Sequence, residues 1–300
     1  MVVKTERLTK RFPGAEAVIE LTLEVPEGAV FALAGPNGAG KTTALKTVMN
    51  ILTPTSGSAE VLGIDSRRLG PEHLARIGYV SENQDLPDWM SSRRFLAYCR
   101  EFYATWNDAE ARALLTQFEV PFDRPLRTLS RGMRMKAVLA SSLAYRPQLL
   151  VLDEPFSGLD ILVREQLIEC VLERAAEMTV LIASHDLSEI ESFATHLGYI
   201  DQGRLQFVEE MGSLSERFRE VEVTFDGPVA LPAGRPSAWL GAEVSASVLR
   251  FTDSRFDPVR TEAEVRRLFP GVQAVNTRSL PLRSIFVALA RSAKQAPSPR

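Results

Sequence analysis

Between Ala17 and Val25 the chain alternates apolar and polar residues, Ala-Val-Ile-Glu-Leu-Thr-Leu-Glu-Val, which predicts a strand with one face buried in an antiparallel sheet. Other stretches do not alternate. Ala29 to Ala34, Leu149 to Leu152 and Thr179 to Ser184 are near-continuous apolar runs, as expected of strands covered on both faces of a parallel sheet. Ala59 to Ile64 and Arg76 to Val80 read as two further strands. Leu197 to Ile200 and Arg204 to Val208 flank Asp201-Gln202-Gly203 as a hairpin. Helices are expected over Thr43 to Leu52 and Leu187 to Thr195. Strands alternating with helices predict an α/β fold.

Two regions depart from this alternation. After the polar loop Ser81-Glu82-Asn83-Gln84-Asp85, and as far as Thr128, the chain reads as helices rich in large side chains. Phe95, Tyr98 and Phe102 are spaced to share one face of a helix, ordinarily a core face. With Trp89, Tyr103 and Trp106 beside it, the segment carries more aromatic surface than a small helical lobe needs, so a surface for docking a partner is the second reading. Asn107-Asp108 can cap a helix running to about Glu119, and Pro121 to Pro125 ends it. Beyond Val208, strand character at Val221 to Phe225, Ser247 to Thr252 and Val272 to Thr277 mixes with helical character at Thr261 to Phe269 and Leu282 to Ser292. That is a small α+β appendage. Gly227 to Gly241 reads as linker or long loop, and Ala293 to Arg300 as a disordered tail. The expected organisation is a principal domain over 1–210, with a helical subdomain at about 86–145, then the appendage over 211–292 and the tail over 293–300.

Composition narrows the partners. The 300 residues carry 35 basic and 38 acidic side chains, a net charge of −3, which gives no bulk electrostatic case for nucleic acid or an anionic membrane. Cys99 and Cys170 lie far apart and form no C-x-x-C pair, so idle or buried thiols are expected. No apolar run approaches the ~20 residues that cross a bilayer, and Met1 to Glu6 does not open a secretory signal. The expectation is a soluble, cytoplasmic chain that meets a membrane only through a partner.

The chemistry starts where the run Phe31 to Ala34 breaks into Gly35-Pro36-Asn37-Gly38-Ala39-Gly40-Lys41-Thr42-Thr43, a match to the phosphate-binding pattern G-x-x-x-x-G-K-[ST]. Glycines let successive amides converge on one point, and the following helix adds its positive end. Lys41 supplies a full charge and Thr42 a hydroxyl for Mg2+. The strand Leu149 to Leu152 delivers Asp153 and Glu154 at its carboxyl end, where open α/β sheets bind ligands. Asp153 fits a Mg2+ anchor and Glu154 a group that orients or deprotonates an attacking water. Thr179 to Ser184 ends at His185, on the same sheet edge, a candidate γ-phosphate sensor. His73 and His196 have no such placement. Phe12 is either a core aromatic or a ring that stacks on a base.

Two more segments carry a family resemblance. Leu129-Ser130-Arg131-Gly132-Met133 opens a helix before the Asp-Glu strand, and Ser157-Gly158-Leu159-Asp160 follows it. Together with the phosphate loop, Asp153-Glu154 and His185, this ordered set resembles an ABC-type ATPase over residues 1 to about 210. Its implied parts are Walker A at Gly35 to Thr42, Walker B at Leu149 to Glu154, the D-loop at Ser157 to Asp160 and a switch histidine at His185. Tyr79-Val80-Ser81-Glu82-Asn83, Ser130-Arg131-Gly132-Met133 and the ending Ser284 to Leu289 are similar to ATPase subunits of bacterial ABC exporters that pair with a separate permease.

The resemblance implies a P-loop NTPase sheet flanked by helices, with an antiparallel β subdomain and a helical subdomain. It further implies ATP and Mg2+ as cofactors, and ATP hydrolysis coupled to an integral-membrane permease at the cytoplasmic face of the membrane. A second copy, or a homologous subunit, is the implied partner whose Ser130 and Gly132 complete each site, with Asp160 close by. The chain departs from the family pattern twice: Arg131 and Met133 replace the third and fifth residues of Leu-Ser-Gly-Gly-Gln, and Glu82 stands at the Q-loop glutamine unless Gln84 takes that place. Glu82 is then a candidate Mg2+ ligand. A soluble ABC ATPase acting on ribosome or DNA is the alternative. It is disfavoured by the absence of a basic or coiled-coil insertion. A GTPase is disfavoured because no Asn-Lys-x-Asp motif occurs.

Overall fold

β1 (Val3–Phe12) and the alternating segment β2 (Ala15–Val25) pair antiparallel in the computed structural model, which describes residues 1–232 and 234–295. Leu21, Leu23 and Val25 are buried while Glu20, Thr22 and Glu24 face out, as the alternation requires. β3 (Val30–Ala34) is buried along its whole length and leads to the glycine-rich loop, after which α1 (Lys41–Val48) begins. A helix this short does not hold in water by itself. Burial of Ala44, Leu45 and Val48 in the main core keeps it in place. It starts two residues earlier and ends four earlier than expected, because Asn50 turns into the left-handed region at φ 55°. β4 (Ser56–Val61) and β5 (Ile64–Asp65) replace the single strand expected from Ala59 to Ile64. Leu62 and Gly63, at φ 53° and 78°, make a tight turn between them. These strands complete an antiparallel sheet in the order β2-β1-β4-β5.

α2 (Pro71–Leu74) and β6 (Ile77–Ser81) come next, then the helical region with α3 (Ser92–Arg100), α4 (Asp108–Gln117) and α5 (Arg131–Leu143). Asn107 caps α4 by accepting from the amides of Ala109 and Glu110. α3 ends at Arg100, so Phe102 is not on the helix that carries Phe95 and Tyr98. Only Phe95 is core, at 5% exposure; Tyr98, Phe102 and Trp89 are 49%, 61% and 59% exposed.

β7 (Leu149–Asp153), α6 (Ile161–Leu172), β8 (Thr179–Ser184), α7 (Leu187–Ile190), β9 (His196–Asp201) and β10 (Arg204–Glu210) finish the second sheet, ordered β10-β9-β3-β8-β7-β6. α7 is one turn long rather than reaching Thr195. β6, β7, β8, β3 and β9 run parallel, and every residue of β3, β7 and β8 is buried, which is why these strands read as unbroken apolar runs. The register aligns their carboxyl ends. Ser81 stands opposite Asp153, Asp153 opposite Ala183, and Ala34 opposite Ser184. The next residues, Glu82, Glu154, His185 and Gly35, therefore all leave the sheet along one edge.

The described residues divide into two compact units, the first from Met1 to Val208 and the second from Glu209 onward, with the boundary inside β10. The second unit contains α8 (Met211–Arg217), β11 (Arg219–Phe225), β12 (Trp239–Ser245), β13 (Val248–Asp253), α9 (Pro258–Leu268), β14 (Val272–Ser279) and α10 (Leu282–Gln295). Its antiparallel sheet has the order β12-β13-β11-β14, around a core of Val221, Val223, Phe225, Trp239, Leu249, Phe251, Val265 and Phe269. β12 begins inside the stretch expected to be loop: Trp239 anchors it by stacking on Phe251 with ring centroids 4.1 Å apart. α10 runs through Gln295, past the expected start of the tail at Ala293, and residues 296–300 of that tail lie outside the described residues.

Candidate functional site

The phosphate loop is shaped by glycines that no other residue replaces cheaply. Gly40, the residue before α1, has φ 105°, and a Cβ there would lie 2.2 Å from the Ala17 carbonyl oxygen. A Cβ on Gly35 would lie 2.1 Å from the carbonyl oxygen of Ile200. Asn37 and Gly38 are exposed at the loop's tip, while Ala39 is buried in the core. The loop curls around Lys41, whose Nζ donates to the carbonyls of Gly35 at 2.7 Å and Pro36 at 3.1 Å.

Lys41 is only 4% exposed, and a buried cation needs a counter-charge. Glu154 Oε1 supplies it at 3.1 Å. The other oxygen, Oε2, lies 2.6 Å from His185 Nδ1. With the glutamate ionised, Nδ1 carries the proton and donates it. Glu154 reaches both partners from a left-handed backbone, φ 53°, just past the end of β7, with its amide bonded to the Ala183 carbonyl. Strain of this sort collects at functional sites. His185 in turn sits between β8 and α7, where Asp186 caps the helix by accepting from the Ser188 amide.

Asp153 lies beside this trio and is 2% exposed. Its partners are hydroxyls: Thr42 Oγ1 donates to Oδ1 at 2.7 Å, and Tyr79 and Ser81 donate to Oδ2 at 3.3 and 3.5 Å. Among the described residues it has no ion-pair partner within 4 Å. Burial pushes its carboxyl above the usual carboxylate range, opposed by the hydrogen bonds from Thr42 and Tyr79. The Tyr79 hydroxyl is itself pushed up to about 12, by burial and then by the Asp153 charge. A buried carboxylate without an ion-pair partner, next to a threonine hydroxyl, suits a hard divalent cation such as Mg2+. Mg2+ is commonly held by one or two protein ligands, with phosphate and water supplying the rest.

The segments at the signature and D-loop are helix starts. Ser130 caps α5 by accepting from the Met133 amide at 3.2 Å, and Asp160 caps α6 by accepting from the Val163 amide at 3.0 Å. Gly132 packs close to Val163. No hydrogen bond or ion pair among the described residues joins Ser130, Gly132 or Asp160 to Lys41, Asp153, Glu154 or His185. Glu82 donates its amide to the Asp153 carbonyl at 3.1 Å, but its carboxylate is engaged by Arg131. Phe12 ends β1 at 41% exposure, with the Lys10 ammonium 5.1 Å above its ring. Thr43 accepts from the Thr47 hydroxyl within α1. Tyr79 and Ser81 belong to the site but were not anticipated as site residues. Two polar groups at i and i+2 in a buried strand, aimed at one face, were the available signal.

Comparison with known proteins fits this arrangement. The family described as "ABC transporter" matches residues 18–157. The chain is similar to the daunorubicin/doxorubicin resistance ATP-binding protein DrrA of Streptomyces peucetius, 30% identical over 302 residues, covering 96% of this chain and 92% of that one. It is similar to the ABC transporter ATP-binding protein YtrB of Bacillus subtilis (strain 168), 28% identical, covering 77% and 79%. In fold it is like the dimeric post-hydrolysis state of the ATP-binding cassette MJ0796 bound to ADP and Pi, with a TM-score of 0.63 at 21% identity over 70% of this chain and 98% of that one.

Proposed function

The chain belongs to the family of ABC transporter ATP-binding proteins and is an ATPase, and from that premise we propose that it is the motor subunit of an exporter whose permease is a separate chain. The observation that carries the hydrolytic assignment is the placement of Glu154 between Lys41 and His185, on the sheet edge shared with Asp153.

In this reading the amides of Gly35 to Thr43 and the Lys41 ammonium hold the triphosphate, and Phe12 stacks on the base. Thr42 and Asp153 hold Mg2+. When bound, the ion offsets triphosphate charge and polarises its oxygens. Glu154 orients the attacking water and takes its proton, and His185 fixes the carboxylate through Nδ1 and senses the γ-phosphate. Lys41 leaves Glu154 for phosphate when nucleotide enters, which releases the carboxylate for water. Ser130 and Gly132 have no partner role in the site of their own subunit. They act on nucleotide held by a second copy or a homologous subunit, so that two subunits enclose two ATP molecules, with Asp160 at the junction.

The permease would dock on the exposed aromatic surface at Trp89, Tyr98 and Phe102. These residues line a cleft of about 800 Å³ that also reaches Gln84, next to the segment hydrogen-bonded to Asp153. In this reading the chain meets the membrane through that permease; no helix of the described residues is long and apolar enough to cross one. Outward transport is favoured by the likeness, along almost the whole chain, to a drug-resistance ATP-binding protein. The test is isolation of the tagged chain from its native membrane. Recovery of a multi-span protein, with Mg2+-dependent ATP hydrolysis abolished by Lys41→Ala, supports the proposal; recovery of ribosomes or DNA without such a protein overturns it.

A further inference from the structure

Two charged residues stand where the family pattern has neutral ones, and they meet. Arg131 Nη2 contacts Glu82 Oε1 across 49 residues of sequence. Each belongs to a different part of the site. Glu82 follows β6, and its amide is bonded to the backbone of Asp153. Arg131 is the first residue of α5, directly behind the Ser130 cap. The same guanidinium lies over Gly158, where an added Cβ would fall 2.7 Å from Nη1, so one side chain spans the segments that hold Glu82, Ser130 and Asp160.

Each charge is adverse alone. Glu82 follows directly on β6, at the sheet edge that carries Asp153 and Glu154, so an unopposed carboxylate there adds repulsion to a bound triphosphate. Among the described residues Arg131 has no ion-pair partner within 4 Å other than Glu82. We propose that Glu82 and Arg131 act as one positioning unit, in which Arg131 offsets the carboxylate at the nucleotide site while Glu82 ties the start of α5 to the end of β6. The pair substitutes for the neutral glutamine and glycine of the family pattern, and either partner without the other is worse than both or neither. It also gives Glu82 an occupation other than Mg2+. The proposal rests on the ATP-binding reading above.

The pair is partly exposed, with side-chain exposures of 49% for Arg131 and 24% for Glu82, so its influence is modest and falls with salt. The experiment is titration of the full chain with a fluorescent ATP analogue and Mg2+, at low and physiological salt, with thermal melting as the check on folding. Arg131→Gly leaves the carboxylate unopposed and should weaken binding about three- to tenfold at low salt, less at high salt. Adding Glu82→Gln to it should restore affinity to within about twofold of the parent, a rescue that a merely structural arginine would not permit. If Arg131→Gly does not fold, Arg131→Gln takes its place in the same cycle. Unchanged binding on loss of Arg131, or a double variant as weak as the single, overturns the pairing role while Lys41→Ala still abolishes binding. Binding indifferent to Lys41→Ala would instead overturn the ATP-site reading, and the pair's role with it.

Discussion

The Lys41 ammonium lies 3.1 Å from Glu154 Oε1, so the one full positive charge inside the phosphate loop is matched by the carboxylate proposed to activate water. The two roles compete. In the proposed mechanism nucleotide draws the lysine away before the glutamate is free, so a substitution at Glu154 separates binding from turnover, whereas one at Lys41 removes both.

Glu154→Gln should therefore bind nucleotide at least as tightly as the parent while turnover falls by about a hundredfold or more, the loss of ~3 kcal/mol typical of a positioned catalytic group. Phosphate release and equilibrium binding, measured on the same preparation, check this. Parental turnover in the glutamine variant would remove Glu154 from the mechanism.

Asp153→Asn should stabilise the protein without nucleotide and cost it the response to Mg2+. Burial raises the folded-state pKa of Asp153, so its ionisation opposes folding; the protonated form's advantage is complete below the unfolded carboxylate value and is lost as pH rises through the folded one. At neutral pH the asparagine variant should melt higher than the parent, and the gap should close in acid. Melting curves across pH, with and without Mg2+ and ATP, read both effects; a variant that melts lower at neutral pH would contradict the burial argument.

Gly40→Ala places a methyl carbon against the Ala17 carbonyl and forces a left-handed residue, itself costing roughly 1–2 kcal/mol. Nucleotide binding should be lost and the melting temperature lowered. Gly212→Ala, where an added Cβ meets nothing within 4 Å, is the control expected to bind normally.

Trp89→Ala and Phe102→Ser alter exposed side chains, and although Phe102→Ser gives up an edge-on contact with the Tyr98 ring, each should cost no more than about 1.5 kcal/mol of stability. They should reduce recovery of the permease while leaving nucleotide affinity intact. Full recovery of the permease with both changes would move its docking surface elsewhere.

The second sheet was legible because its strands are buried on both faces, and the glycine loop, Asp153-Glu154 and His185 follow from where such strands end. The aromatic face was legible in part: the Phe102 ring does lie against Tyr98, with centroids 5.1 Å apart, but from the turn after α3, which stops at Arg100, and three-dimensional exposure is not written in periodicity. β12 was missed because the Pro, Gly and Ala before Trp239 mask a strand whose anchor, the stack on Phe251, comes from another part of the chain. The Glu82 to Arg131 contact was unreadable for the same reason. Sequence flagged each residue as unusual by itself, and only the fold brings them together.

That each site is shared between two subunits is tested by mixing two inactive variants. Lys41→Ala loses its own phosphate loop but keeps Ser130. Ser130→Asp keeps the loop and an oxygen able to cap α5, but sets a negative charge against the partner's triphosphate. Mixed in equal amounts, random pairing makes half the dimers mixed, each with one intact site, so ATP hydrolysis should return to at most about a quarter of the parental rate. A mixture as inactive as its components, beside an active parent, would contradict the shared site.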